Sequence, residues 1–339
     1  MRIMSNLEYS FIVSELQPLV GKHFDKIRKV PLGYRFRIGD VNLFVQPGIR
    51  LHRTVYIEET ETEDKFVQKT NAELDNARLL SIRQINNDRI IGFSFDKGDL
   101  IFEMFGKGNC ILVKDGKTVV AMKEESWSDR EIKRGVEYKP PKPSTVASLS
   151  DALTDRYVII ALLKLPLGKE YAQEVLSRSG IDEKTPGNKL TDQQIESIER
   201  EMKKLTDEAK PVIFLKGSKP VEFGLTHFSS KKDFEKKETA CLNEAADLFY
   251  WENKGIDRSS VEKLERRLSE QKERMEELER EETGLKAAGD YIYAHYDEID
   301  KIISESRSAA LDSLEQKLQS MKVKIEKVDK KNKSIELEV

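Results

Sequence analysis

Three short stretches of this chain carry residue types that could hold an anion, and none carries a catalytic constellation. Phe105-Gly106-Lys107-Gly108-Asn109 sets two glycines around a lysine. On spacing alone it reads as a strand-to-strand turn, too short for a phosphate loop. The alternative is that Lys107 and the backbone at Gly108 and Asn109 hold a phosphate, as glycine-containing nests do. Asn86-Asn87-Asp88-Arg89, just before the apolar Ile90-Ile91, is ordinary turn chemistry with an exposed Asp88/Arg89 ion pair. Pro166-Leu167-Gly168 separates two short helical segments. It could only pack them together, or the helix start at Gly168 beside Lys169 could receive a backbone phosphate. Glu8, three residues after Ser5, fits the third position of a capping box. No paired carboxylates, Ser/His/Asp set or phosphate-loop signature accompanies these stretches, so a binding protein without catalytic residues is expected.

Metal and redox chemistry find little support. Cys110 and Cys241 lie in separate segments without a CxxC, and His23, His52, His227 and His295 are scattered. No disulfide framework, structural metal or cofactor is expected. The 58 Lys and Arg against 61 Asp and Glu leave a net charge of -3, which exerts no bulk pull on nucleic acid. Any phosphate binding must therefore use local patches. No run of about 18 apolar residues occurs, so a soluble, cytoplasmic protein with no membrane span is expected.

The 339 residues have room for two or three domains, and a charged fraction of 35% with 8% aromatics implies that part of the chain is elongated. Leu7, Phe11, Leu16 and Val20 predict a helix from about 6 to 20. Tyr34, Phe36 and Ile38, then Val41, Leu43 and Val45, alternate as a β-hairpin around Gly39-Asp40. Asp64 to Leu80 has helical spacing, and from Ser81 the apolar residues turn to strand runs at 90–95, 100–105, 110–113 and 119–122. The class is α+β, with an amino-terminal domain at 1–142. Pro140-Pro141-Lys142-Pro143 reads as a stiff linker into a helix-hairpin-helix candidate at 143–210, with helices at 157–165 and 170–177. A β-hairpin around Gly217-Ser218 and a connector occupy 211–254. From 255 to 334 a heptad pattern predicts two coiled-coil helices: Val261, Leu264, Leu268, Met275, Leu278 and Leu285, then Leu311, Leu314, Leu318, Met321, Ile325 and Val328. An intramolecular antiparallel hairpin is favoured over a parallel homodimer, because Gln271 and Glu282 interrupt the first seam. The final Ile335-Glu336-Leu337 looks like a strand.

Several of these stretches occur together, and in the same order, in one known family. Gly48-Ile49-Arg50-Leu51-His52, then Gln84-Ile85-Asn86-Asn87-Asp88-Arg89-Ile90-Ile91-Gly92-Phe93, then Glu103 to Asn109, then Arg130, Gly135, Tyr138, Pro140 and Pro141 resemble the family that contains eukaryotic NEMF, bacterial RqcH and proteins once labelled fibronectin-binding protein A. The resemblance runs over essentially the whole chain. It implies an amino-terminal domain like the corresponding fold of formamidopyrimidine-DNA glycosylases, followed by helix-hairpin-helix and coiled-coil parts. The family's carboxyl-terminal RNA-binding domain would follow them. It also implies a factor that binds the large ribosomal subunit carrying obstructed peptidyl-tRNA and recruits tRNA. Such a factor supports template-free addition of residues to the stalled chain's carboxyl end, with the chemistry left to the ribosome. The family's Asp-Arg pair maps onto Asp88 and Arg89, which implies tRNA contact there. A functional aspartate near the first helix aligns with Glu8, one methylene longer. A DNA-repair glycosylase is the first alternative, but Met1-Arg2-Ile3 lacks the Pro-Glu start such enzymes use as nucleophile. A fibronectin-binding adhesin is the second, with no signal peptide or wall anchor visible.

Overall fold

The computed structural model describes residues 2–58, 60–61, 63–143, 145–146, 148–253, 258–306, 318, 325–329 and 334–337. It divides into two units, Met1–Lys254 and Gly255–Val339.

The first helix, α1 (Asn6–Glu15), starts on the expected capping box: Ser5 Oγ accepts from Glu8 N at 3.3 Å, and the Glu8 carboxylate accepts from Ser5 N at 2.8 Å. It ends five residues before the predicted position. Pro18 cannot extend an α-helix, and Gln17–Leu19 tightens into a 3-10 turn instead.

Strands β1 (Phe24–Val30), β2 (Gly33–Ile38), β3 (Val41–Gln46) and β4 (Arg50–Thr54) form an antiparallel meander, so the predicted hairpin is the middle of a four-stranded sheet. Helix α2 (Lys65–Leu74) is capped by Asp64 and stops short of Leu80, because Leu79 is already buried in a strand. The second meander has five strands: β5 (Leu79–Gln84), β6 (Ile90–Phe95), β7 (Gly98–Glu103), β8 (Asn109–Lys114) and β9 (Lys117–Ala121). The sheets meet through aromatic rings. Phe36 lies 5.3 Å from Phe93 and 5.2 Å from Phe102, and Phe24 lies 5.7 Å from Phe95. On the other face of the second sheet, Ile90, Ile101, Ile111, Val113 and Ile132 make a smaller core. It is closed by the short hairpin β10 (Glu125–Ser126) and β11 (Glu131–Ile132). That hairpin brings Arg130 onto both oxygens of buried Glu103, at 2.5 and 3.0 Å, and Tyr138 donates to the same carboxylate at 2.9 Å.

Helices α3 (Leu149–Ala152), α4 (Val158–Leu163), α5 (Lys169–Arg178) and α6 (Asp192–Asp207) follow, then a sheet of β12 (Val212–Lys216), β13 (Lys219–Gly224) and β14 (Glu235–Glu238), with β12 in the middle. The hairpin β12–β13, whose packing the sequence left open, lies against α5 and α7 (Leu242–Glu252): Phe214 stacks on Phe228, which meets Tyr171, and Phe223 meets Phe249 and Tyr250. Helix α7 also closes the edge of the first sheet. Asn243 Oδ1 accepts from Arg53 N at 2.6 Å and Asp247 Oδ2 from Val55 N at 2.8 Å, so two backbone donors beside strand β4 are paired. The start of α7 is capped from α1, where Glu15 accepts from Leu242 N and Asn243 N at 2.7 and 2.9 Å.

All three layers meet at the chain's beginning. The Glu8 carboxylate has no exposed surface. It pairs with Arg2 and accepts from Tyr171 Oη at 2.8 Å. Arg2 also pairs with Glu222 of β13, donates to the Phe223 carbonyl at 3.1 Å and lies 3.8 Å over the Phe223 ring. Burial, then the Glu8 charge, hold the Tyr171 phenol well above the ordinary tyrosine range, so it remains a donor.

The second unit contains α8 (Arg258–Ala294), α9 (Tyr296–Ser306) and an antiparallel pair, β15 (Ile325–Asp329) and β16 (Ser334–Leu337). The first predicted coiled-coil helix is thus helical, with Met275, Leu278 and Leu285 exposed. The second is corrected at its end. Ile325 and Val328 sit in β15, paired with Leu337 and Ile335, because β-branched residues facing a second alternating run favour strand over heptad. Leu311, Leu314 and Met321 lie outside the described residues.

Replacing Arg2 by Met leaves the Glu8 carboxylate buried without its charge partner and is expected to cost about 3–5 kcal/mol in urea unfolding. Tyr171→Phe removes the donor to Glu8 and the acceptor of Leu225 N, and is expected to cost about 1–3 kcal/mol. A second expectation concerns His52, stacked between Phe44 and Tyr250 at 6.2 and 5.6 Å. Its Nδ1 donates to the Arg53 carbonyl at 2.9 Å, and Asp247 at 3.7 Å is too far to bond the ring. Burial, then the Arg50 charge, push its pKa down to about 3. Between the unfolded value near ~6.5 and 3, only the unfolded chain binds this proton, so stability falls with falling pH by up to about 1.4 kcal/mol per unit. Burial raises the Asp247 pKa and contributes with the opposite sign above the ordinary carboxylate range. Thermal unfolding from pH 7 to 4 is expected to show a flatter acid limb in His52→Gln than in the parent chain.

Candidate functional site

One end of the sandwich gathers three turns, those joining β3 to β4, β5 to β6 and β7 to β8. The first and third touch backbone to backbone. A Cβ on Gly108 would lie 2.0 Å from Gly48 N, and one on Gly48 would lie 2.7 Å from the Gly106 carbonyl oxygen; both glycines have positive φ. The start of α1 is tied to the same place, as the Ile49 carbonyl accepts from Met4 N at 2.9 Å and from Tyr9 Oη at 3.3 Å. The start of α5 arrives from the other side: a Cβ on Gly168 would lie 2.5 Å from Ser5 Cβ. Gln84 Nε2 completes the join by donating to the Asn6 carbonyl at 3.0 Å and the Asp88 carbonyl at 2.9 Å. Asp88, Arg89, Lys107, Gly108, Gly168 and Lys169, spread over some eighty residues of sequence, are thereby linked through the first turn of α1.

The β5–β6 turn is fixed along its backbone. Asn86 and Asn87 both take left-handed conformations, with φ of 58° and 48°, which asparagine tolerates better than other side chains. Ile85 N donates to the Ile90 carbonyl at 2.8 Å, Met104 N to the Arg89 carbonyl at 2.7 Å, and Asn86 Nδ2 to the Pro141 carbonyl at 2.9 Å. Asp88 Oδ1 accepts from Arg89 N at 2.7 Å. The carboxylate therefore shapes the turn, and no ion pair joins it to the Arg89 side chain among the described residues. The half-buried Arg89 guanidinium makes no hydrogen bond among the described residues. By contrast, Arg2, Arg130 and Arg178 each pair with an internal carboxylate. An arginine held at a surface without an internal anion retains its fork of donors for an external one.

The other sequence-derived candidates separate by exposure. Lys107 and Lys169 are exposed, and α5 starts at Gly168 without a side-chain cap. Gly108 and Asn109, by contrast, are turned inward. Gly108 is buried and gives its N–H to the Phe105 carbonyl at 2.9 Å. The buried Asn109 side chain holds Lys123 N and O, at 3.1 and 2.8 Å, and reaches Glu125. Both are committed internally because this turn must pack on Gly48 and on the following chain. Glu8 likewise has no free surface and fixes the start of α1 from below. Sequence reasoning missed Gln84 and Asn6 as the clamp on Asp88, and Pro47-Gly48 as the bed for the glycine turn. Among these only Gly48, a glycine between a strand and a charged motif, offered a local signal. Among the described residues no cluster of three or more His, Cys, Asp or Glu could hold a metal, and no helix is long and apolar enough to cross a membrane.

Comparison with known proteins bears on this architecture. The chain is 26% identical over 354 aligned positions to an archaeal Rqc2 homolog, aRqcH, from Methanocaldococcus jannaschii, covering 90% of this chain and 52% of that protein. It is 24% identical to the human ribosome quality control complex subunit NEMF, over 80% of this chain and 30% of that protein. The chain thus spans about half the length, or less, of these relatives. In fold it is similar to the fibrinogen binding protein from Staphylococcus aureus, with a TM-score of 0.58 at 20% identity, covering 73% of this chain and 98% of that one. The model of the NFACT N-terminal and middle domains matches residues 9–338, and this chain belongs to that family.

Proposed function

We propose that this chain is the tRNA- and ribosome-binding part of a quality-control factor, without catalytic residues of its own, that engages the large ribosomal subunit when peptidyl-tRNA is obstructed there. In this reading it recruits tRNA and supports template-free tailing of the stalled chain, while peptide-bond chemistry belongs to the ribosome. The observation that carries the reading is the Arg89 guanidinium, set on a rigid turn without an internal anion and linked to exposed Lys107 and Lys169 through the first turn of α1. The relatives' names, ribosome quality control subunits and an Rqc2 homolog, support the same setting. Asp88 and Arg89 contact tRNA, Lys107 and Lys169 meet its phosphates, and Glu8 acts from within by holding the start of α1.

The domain assignment belongs to the same proposal. Residues 1–142 form a head like that of formamidopyrimidine-DNA glycosylases, 143–210 a helix-hairpin-helix module around Pro166-Leu167-Gly168, and 211–254 a connector. The long helix α8 begins an arm that extends the contact with the subunit in the cytoplasm.

The test is co-sedimentation with large subunits carrying peptidyl-tRNA, against vacant subunits, together with tRNA binding by filter assay. Asp88→Ala with Arg89→Ala is expected to weaken tRNA binding about tenfold or more, a loss of ~1–3 kcal/mol. Unchanged binding by the folded double variant refutes the assignment of the pair.

A further inference from the structure

The first sheet has a second charged feature, made of other residues than the site described above. Its outer face is divided. Over β3 and β4 it is covered by α7, where Arg50 lies between the Phe44 and Tyr250 rings, 4.2 and 4.5 Å from their centroids. Over β1 and β2 it carries Lys26, Arg28, Arg35 and Arg37, which line an open cavity of about 120 Å³ with Asp25, Asn42 and Ile57. The strand register sets like charges opposite one another: Arg28 faces Arg35, and Lys26 faces Arg37. Such pairs are destabilising in a sheet, so the fold itself gives no reason for them.

Among the described residues, neutralisation is incomplete. Asp25 lies 3.8 Å from Arg37, and Glu58 is the acidic neighbour of Arg35. The Nη1 of Arg35 is buried and makes no hydrogen bond among the described residues. Burial, then the charge of Arg28, hold this guanidinium below the usual arginine range, with Arg37 adding to the effect. The opposed cations outnumber Asp25 and Glu58, their acidic neighbours among the described residues, and the excess positive charge in the open cavity suits an external anion.

We infer that the β1–β2 face is a second, sequence-independent binding surface for the phosphodiester backbone of RNA, with Lys26, Arg28, Arg35 and Arg37 as its cations. This rests on the reading of the chain as an RNA-binding factor, which selects RNA over other polyanions. The surface favours a phosphate backbone over an acidic peptide because it offers paired cations on a strip whose lining among the described residues has Ile57 as its one apolar member, without the buried aromatic or apolar anchor that a protein partner requires. It gives a chain of net charge -3 the local patch that phosphate binding needs.

The experiment measures anisotropy of a labelled RNA hairpin of arbitrary sequence, a labelled tRNA and labelled poly-glutamate, each across a salt series, with the full chain. Substituting K26Q, R28Q, R35Q and R37Q together is expected to weaken both RNAs alike and to lower the log-log salt slope by roughly 3. The thermal midpoint is expected not to fall, since repulsion is removed rather than packing. The R28K, R35K and R37K variant is expected to retain binding, which separates charge from a folding defect. Asp88→Ala with Arg89→Ala is expected to leave the arbitrary hairpin unaffected. Unchanged hairpin affinity and slope in the four-glutamine variant overturn the inference, as does tighter binding of poly-glutamate than of RNA. If the four-glutamine variant loses RNA while the Asp88/Arg89 variant still binds tRNA normally, this surface stands and the site proposed above fails.

Discussion

The Glu8 carboxylate, buried under the first turn of α1, is the interaction on which the rest of unit Met1–Lys254 depends. A buried charge is tolerated only when every lone pair is met. Here Arg2, the Tyr171 hydroxyl and Ser5 N meet it, and these come from the chain's beginning, from α5 and from the cap of α1. Through Arg2 the same network reaches Glu222 and the Phe223 carbonyl of the third sheet. One carboxylate therefore fixes where the helical segment and the β12–β13 hairpin sit relative to the sandwich. Because Ser5 lies against Gly168, it also fixes the start of α5 beside the start of α1.

That constraint explains why the candidate site is rigid although it is made of turns. Each turn is held by something other than its own ladder: the β5–β6 turn by Gln84 and Pro141, the glycine turn by Gly48, and the following chain by Asn109. Side chains spent on this support, Glu8 and Asn109 among them, are unavailable for a ligand. Those left unspent, Arg89, Lys107 and Lys169, are the ones that binding can use. The two charged surfaces of unit Met1–Lys254 thus differ in kind. The turn site is built by convergence of distant segments, whereas the β1–β2 face is written directly into strand alternation.

Legibility of the sequence followed the range of the interaction involved. The capping box at Ser5 and Glu8, the alternation at Tyr34, Phe36 and Ile38, and the strands from Ile90 onward are local patterns and were readable. Helix ends were less so, because Pro18 and the burial of Leu79 decide them through competing structure. Short strands such as β10 and β14 carry too few residues for a periodic signal. The seam continued through Ile325 and Val328 was misread because a heptad and a β-branched run share those positions. At the site, Asp88, Arg89 and Lys107 were identifiable as charged turn residues. What each does depends on the Gln84–Asn6, Gly48–Gly108 and Tyr171–Glu8 contacts, which cross 78, 60 and 163 residues of chain and leave no mark in local spacing. At Asn109, a polar residue in a glycine turn suggests a ligand contact, and what the spacing does not show is that its side chain is buried and braces Lys123.

The central claim is that separated turns form one tRNA-facing surface at a single end of the sandwich. Site-specific photo-crosslinking tests it most directly, with a photoreactive residue placed in turn at Lys107, at Lys169 and at Asp115, an exposed turn residue at the opposite end of the second sheet. The expected result is cross-linking to tRNA from Lys107 and Lys169, lost when Arg89 is also replaced by Ala, and none from Asp115. Cross-links from Asp115 alone, or equal yields from all three positions, would contradict the account.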